Sequence, residues 1–183
     1  MTIAPVVEGS APIRLPAPHF LAGFRRRVGA GLLMGHAHPR SRYVATSAGA
    51  TGLHIRAADW WTAINVGLNE IDLRVDSPGV VHYRVRYWRW AGYALGLCGG
   101  MGSIGVGLLL LTDARGYIGR HSAQMIPGLS VDQNLMLAWG MVLFWGFIWP
   151  WLLIQLHRRP LRHLVERLIG EVDASGSPAT QAT

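Results

Sequence analysis

The chain has 183 residues, of which 50% are hydrophobic and 15% charged, with 17 cations against 10 acids for a formal net charge of +7. That charged share is well below the roughly 25% usual in soluble domains, and the length suits one modest domain beside membrane segments better than two large domains. The single cysteine, Cys98, excludes an internal disulfide and a thiolate metal cluster within one chain.

Every cation is Arg. Together with the abundant Ala and Gly, this points to a GC-rich bacterial genome, and it makes the basic surface one of guanidinium forks suited to phosphates and carboxylates.

Residues 1–19 carry Pro5, Pro12, Pro16 and Pro18 without hydrophobic periodicity. They are expected to be a disordered tail, with no cleavable signal peptide. Residues 20–34 set Phe20, Leu21, Phe24, Val28, Leu32 and Leu33 around Arg25-Arg26-Arg27. This fits either a short membrane-surface helix or a loop leading into a strand.

Residues 20–88 together are expected to form a cytoplasmic β-rich domain. Strands are predicted over 42–46 and 53–57. Ile71, Leu73 and Val75 then alternate with Asp72, Arg74 and Asp76. After Ser77-Pro78-Gly79, expected to be a type II turn, Val81, Tyr83, Val85 and Tyr87 alternate with His82, Arg84, Arg86 and Trp88. Between these runs, residues 57–70 fit a strand through Ile64, Val66 and Leu68, or a helical turn capped by Asp59. The tandem Trp60-Trp61 reads either as core filling or as an anchor for an interface or partner.

Residues 90–111 and 135–156 are free of charge. Each is long enough to cross about 30 Å of hydrocarbon as a helix. Arg84, Arg86 and Arg89 precede the first run, and Arg158, Arg159, Arg162 and Arg167 follow the second; the loop 112–134 balances Arg115 and Arg120 with Asp113 and Asp132. Cationic flanks remain in the cytoplasm, so a hairpin with both termini inside is expected, in a bacterial inner membrane. Trp88, Trp90, Trp149 and Trp151 fall at its inner ends, where amphipathic rings favour the headgroup level.

The first run is glycine-rich, and Gly92, Gly96 and Gly100 form overlapping small-xxx-small pairs. These are the candidate helix-packing residues, for the second run or for another subunit. In the second run Pro150 should kink the helix and free the carbonyl of Gly146. Neither run contains an ionisable group at depth, which argues against a self-contained pump, channel or transporter. Beyond it, Leu161, Leu164, Val165, Leu168 and Ile169 make an amphipathic helix over 159–172, able to lie on anionic lipid or to pack on the β-rich region. A disordered tail is expected over 173–183.

Chemical signatures are sparse. His36-Ala37-His38 has no acid or cysteine at ligand spacing, and Gly29, Gly31 and Gly35 miss the dinucleotide spacing. No cofactor, metal or nucleic acid is expected. The fold expectation is an α+β membrane protein: a two-helix transmembrane hairpin, a small antiparallel β-rich cytoplasmic domain and a carboxy-terminal amphipathic helix. The functional expectation is a non-enzymatic membrane subunit or scaffold that packs on itself or a larger membrane complex. The alternative is a membrane-surface sensor or a lipid- or ligand-binding protein that uses the β-rich cytoplasmic domain. The interface candidates are Trp60, Trp61, Arg84, Arg86, Trp88, Arg158 and Arg159; a third reading, an enzyme using scattered His and Asp, has no motif behind it.

Overall fold

The computed structural model describes residues 4–30, 42–76, 79–121, 126 and 128–176. The elements in chain order are β1 (Val6–Pro12), α1 (Ala17–Gly29), β2 (Tyr43–Ser47), β3 (Gly52–Ala57), α2 (Trp60–Val66), β4 (Glu70–Asp76) and β5 (Val80–Arg86). They continue with α3 (Trp88–Leu111), α4 (Ala114–Arg120), α5 (Val131–Leu143), a π-helical turn (Phe144–Ile148), α6 (Trp149–Leu156) and α7 (Arg158–Ser175). Two compact units divide these: Met1–Ala91 with Leu156–Thr183, and Gly92–Gln155.

The first unit is a five-stranded antiparallel sheet in the order β1-β5-β4-β3-β2. Period-two alternation decides its faces, because successive side chains in a strand point to opposite sides. Leu53, Ile55, Ile71, Leu73, Val75, Val81, Tyr83 and Val85 are all buried. Their neighbours form an ionic lattice on the open face: Arg84 to Glu8 at 2.9 Å, Arg86 to Glu70 at 2.9 Å and to Asp72 at 3.5 Å, and His54 to Asp72 at 2.5 Å.

Helices α1 and α7 close the core. Phe20, Leu21, Phe24 and Val28 of α1 and Leu161, Val165, Leu168, Ile169 and Val172 of α7 are buried. Tyr83 donates from Oη to Glu166 at 2.8 Å, Arg27 pairs with Glu171 at 3.0 Å, and Asp173 accepts from the N–H groups of Arg14 and Leu15. Each large side chain so buried contributes roughly 1.5–3 kcal/mol. The exposed Arg162–Glu166 pair on α7 adds about 0.3–0.5 kcal/mol, so packing, not surface charge, holds α7.

Three expectations change here. Residues 6–12 do not belong to a disordered tail: β1 completes the sheet against β5, with Val7 opposite Val85. Its alternation is masked in sequence by Gly9 and Pro12, but Pro12 sits at the end of an edge strand, where a missing donor is tolerated. Residues 20–29 do form a helix, yet its apolar side faces the core and not a membrane surface. For α7 the alternative of packing on the β-rich region holds, and its helix runs to Ser175, beyond the expected start of a tail at 173.

Local chemistry settles the connections. Asp59 caps α2, accepting from the N–H of Thr62 at 2.7 Å, and Gly67 ends that helix at φ 69. A helix therefore replaces the strand reading of 64–68. At the β4–β5 hairpin the carbonyl of Asp76 accepts from the N–H of Gly79 at 3.0 Å, and Gly79 has φ 87. Glycine thus follows the turn in the left-handed region, instead of taking the third position of a type II turn.

The second unit pairs two long apolar helical stretches, both long and apolar enough to cross a membrane. A Cβ added to Gly102 would meet the Cα of Gly146 at 2.7 Å, and one on Gly105 would meet Val142 at 3.0 Å. The ascending residue on one helix meets the descending residue on the other, so they run antiparallel. The connection is partly helical: α4 is capped by Asp113, whose carboxylate accepts from Gly116 N–H at 2.9 Å. Ser130 and Gln133 form a reciprocal capping box that starts α5 at Val131, four residues before the uncharged run. The irregularity expected at Pro150 takes the form of the π-helical turn just before it. There the N–H of Trp149 bonds to the carbonyl of Phe144.

Candidate functional site

The most distinctive constellation lies in the sheet unit, where the chain departs after Ala91 and returns at Leu156. Here the indole of Trp90 stacks on the imidazole of His157, with ring centroids 4.0 Å apart and planes 12° apart. Tyr87 meets the same imidazole edge-on at 5.5 Å. His157 Nε2–H donates to the carbonyl of Gly67 at 3.3 Å. Burial of this ring disfavours the imidazolium and holds its pKa below the ordinary histidine value; the Gly67 hydrogen bond opposes this only in part. Gly67 is required twice over, by its positive φ and because a Cβ would collide with Nε2 of His157. Arg158 extends the clasp, donating from Nη2 to Ala4 O at 2.8 Å and from Nε to Tyr87 Oη at 3.3 Å.

Beside it is an exposed cluster of rings and one guanidinium. Trp60 and Trp88 meet edge to face at 6.3 Å, and Cζ of Arg89 lies 5.7 Å from the Trp60 ring and 5.3 Å from the Trp88 ring. Such contacts give about 0.5–1 kcal/mol each at exposed sites. Asn69, almost fully buried, accepts the Arg89 N–H through Oδ1 at 3.2 Å, which ties the first turn of α3 to the loop before β4.

The interface candidates separate into distinct environments. Trp60 and Trp61 are 52% and 72% exposed, so neither fills the core. Trp88 joins Trp60, whereas Arg158 is bound into the clasp. Arg84 and Arg86 lie on the open sheet face, each paired to carboxylates. Arg159 is exposed on α7. Asn69, Gly67 and His157 were not singled out by sequence reasoning, and Arg89 entered it only as a cation flanking the first run. Arg89 had one signal, being the last charge before the uncharged run. The Gly67–His157 contact joins residues 90 positions apart and had none.

Gly92, Gly96 and Gly100 are exposed, and a Cβ on any of them meets nothing within 4 Å. The contact between the two apolar helices instead uses Gly102, Gly105 and Gly146. On the flank of this contact an apolar depression of about 500 Å³ is lined by Leu97, Cys98, Met101, Met141, Trp145 and Trp149.

The open sheet face offers a shallow depression of about 280 Å³ bordered by Glu8, Asp72, Arg74, His82 and Arg84. Each of these groups already has a partner: Glu8 with Arg84, Asp72 with His54 and Arg86, and both Arg74 and His82 with Asp76. Among the described residues, no three His, Cys, Asp or Glu side chains converge where a metal could sit. The His36-Ala37-His38 pair lies outside the described residues. Elsewhere, burial raises the pKa of Tyr43, whose hydroxyl donates to Leu68 O at 3.2 Å, and the N–H of Thr62 holds the Asp59 carboxyl below its usual range.

The chain matches no family model, no curated protein and no solved structure.

Proposed function

We propose that the chain is a non-enzymatic integral membrane subunit or scaffold of a bacterial inner membrane. Its two apolar helices cross the bilayer as a hairpin with both termini cytoplasmic, and it assembles with itself or a larger membrane complex through the face of α3 that carries Gly92, Gly96 and Gly100. One observation carries this reading: α3 has two glycine faces. Gly102 and Gly105 are occupied by the second helix, while the Gly92–Gly96–Gly100 face is open. In lipid, where apolar burial gives no drive, glycine faces matter because they let helix backbones approach closely.

Exposure supports placing the helices in lipid. Leu97, Met101, Ile104, Leu108 and Leu111 are 53–88% exposed on a helix without a charge after Arg89. Leaving such surface in water forgoes about 25 cal/mol per Å². The arginines flanking both helices favour cytoplasmic termini.

Extraction in mild detergent followed by mass measurement tests assembly: a defined oligomer or a stoichiometric partner is expected. Gly96→Leu with Gly100→Leu should abolish it. An isolated monomer unaffected by these changes would refute the assembly reading, and external labelling of the termini in intact cells would refute the orientation.

A second reading, a membrane-surface sensor, is favoured by the exposure of Trp60 and Trp61 away from the core. It predicts that vesicle composition alters the fluorescence of those indoles in the isolated monomer.

A further inference from the structure

We infer that Arg89, set between Trp60 and Trp88, binds the headgroup phosphate of an anionic phospholipid. The inference rests on the membrane reading above and names a ligand for one site within it. Charge complementarity is the first argument. Arg84, Arg86 and Arg162 each pair with a carboxylate, but among the described residues the Arg89 guanidinium contacts only two indole rings. Indole faces offer no oxygen acceptor, so its N–H fork remains for phosphate oxygens, which it can engage bidentately. The first turn of α3 holds no acid, and the helix adds its own partial positive charge there.

Position is the second argument. Arg89 is the last charge before a run without any from 90 to 111, which sets it at the depth of the phosphates if α3 spans the bilayer. Indole rings prefer that same level, and Trp60 and Trp88 are about half exposed. Preorganisation is the third: the backbone of Arg89 is fixed by buried Asn69, and its side chain by two rings, so little freedom is lost on binding. The apolar depression beside Cys98 has no such directional group.

The test is native mass spectrometry of the full chain released from vesicles of phosphatidylcholine doped with phosphatidylglycerol. Wild-type protein should retain phosphatidylglycerol preferentially. Arg89→Gln should lower that enrichment about fivefold, the worth of one cation at an anionic surface. Arg89→Lys should fall between, keeping the charge and losing the fork, and Trp60→Ala should also lower it. Should Arg89→Gln fail to fold, the last two variants decide. Equal enrichment in all variants, or no preference in wild type, overturns the inference. So does displacement of the lipid by inorganic phosphate at equal concentration, which would assign the site to the free ion. Failure to enter vesicles at all would instead overturn the membrane reading.

Discussion

The imidazole of His157 lies flat against the indole of Trp90, 4.0 Å between centroids, and hydrogen-bonds to Gly67. Three segments distant in sequence are thereby joined at the point where the chain leaves and returns to the sheet unit. Because burial lowers the pKa of His157, the unfolded chain binds the proton more readily than the folded one. The contribution of this ring is complete above its unfolded pKa of about 6.5 and is lost as pH falls through that value toward the folded pKa. Thermal unfolding in detergent should show a Tm that declines between neutral and mildly acidic pH, and His157→Asn should flatten that decline while lowering Tm at neutral pH. An unchanged slope would mean that another group titrates.

Gly67→Ala should be among the most damaging single-methyl additions. The left-handed backbone costs about 1–2 kcal/mol for a residue with a Cβ, and displacing His157 from its packed site costs about 1–3 kcal/mol more. Gly49, at φ 78 with open space around it, provides the comparison. Gly49→Ala should carry the backbone cost alone, and denaturant titration of both variants separates the two contributions.

The two glycine faces of α3 should respond differently to substitution. Gly146→Ala places a methyl group against the backbone at Gly102 and should splay the helix pair at a cost of about 1–3 kcal/mol. That is readable as reduced thermal stability of the isolated chain. Gly96→Leu should leave that stability nearly unchanged and act on assembly instead. If Gly96→Leu destabilised the isolated chain as much as Gly146→Ala, the assignment of separate faces would fail.

Phe24 and Trp61 offer the corresponding contrast in the sheet unit. Phe24 is fully buried, so Phe24→Ala should cost about 3–5 kcal/mol through the cavity it leaves. Trp61 is 72% exposed, so Trp61→Ala should change stability by less than about 0.5 kcal/mol. Its effect should appear instead as a smaller response of indole fluorescence to vesicle composition.

Much of the secondary structure was legible because its signals are local. Alternation at 71–76 and 81–87 reports one buried sheet face. The uncharged runs report two helices long and apolar enough to cross a membrane, and the i, i+3, i+4 spacing of Leu161, Val165 and Leu168 reports an apolar stripe. Local cues also offered Asp59 as a cap, although the alternation of Ile64, Val66 and Leu68 competed with it. The strand at Val6–Pro12 was hidden because its backbone bonds run to β5, some 70 positions away in the register. Gly9 and Pro12 within it, and Pro5 just before it, suggested irregular chain.

The amino-acid sequence by itself determined where apolar surface and charge accumulate, since hydropathy and Arg placement belong to each residue wherever it lies. It could not determine which surface covers which. Only the tertiary structure turned the stripes of α1 and α7 into core, assigned Gly102 and Gly105 rather than Gly92, Gly96 and Gly100 to the helix pair, and brought His157 onto Trp90 and Gly67. Those outcomes depend on close packing between distant segments, where a fraction of an ångström separates van der Waals contact from overlap, and no local pattern encodes such a distance.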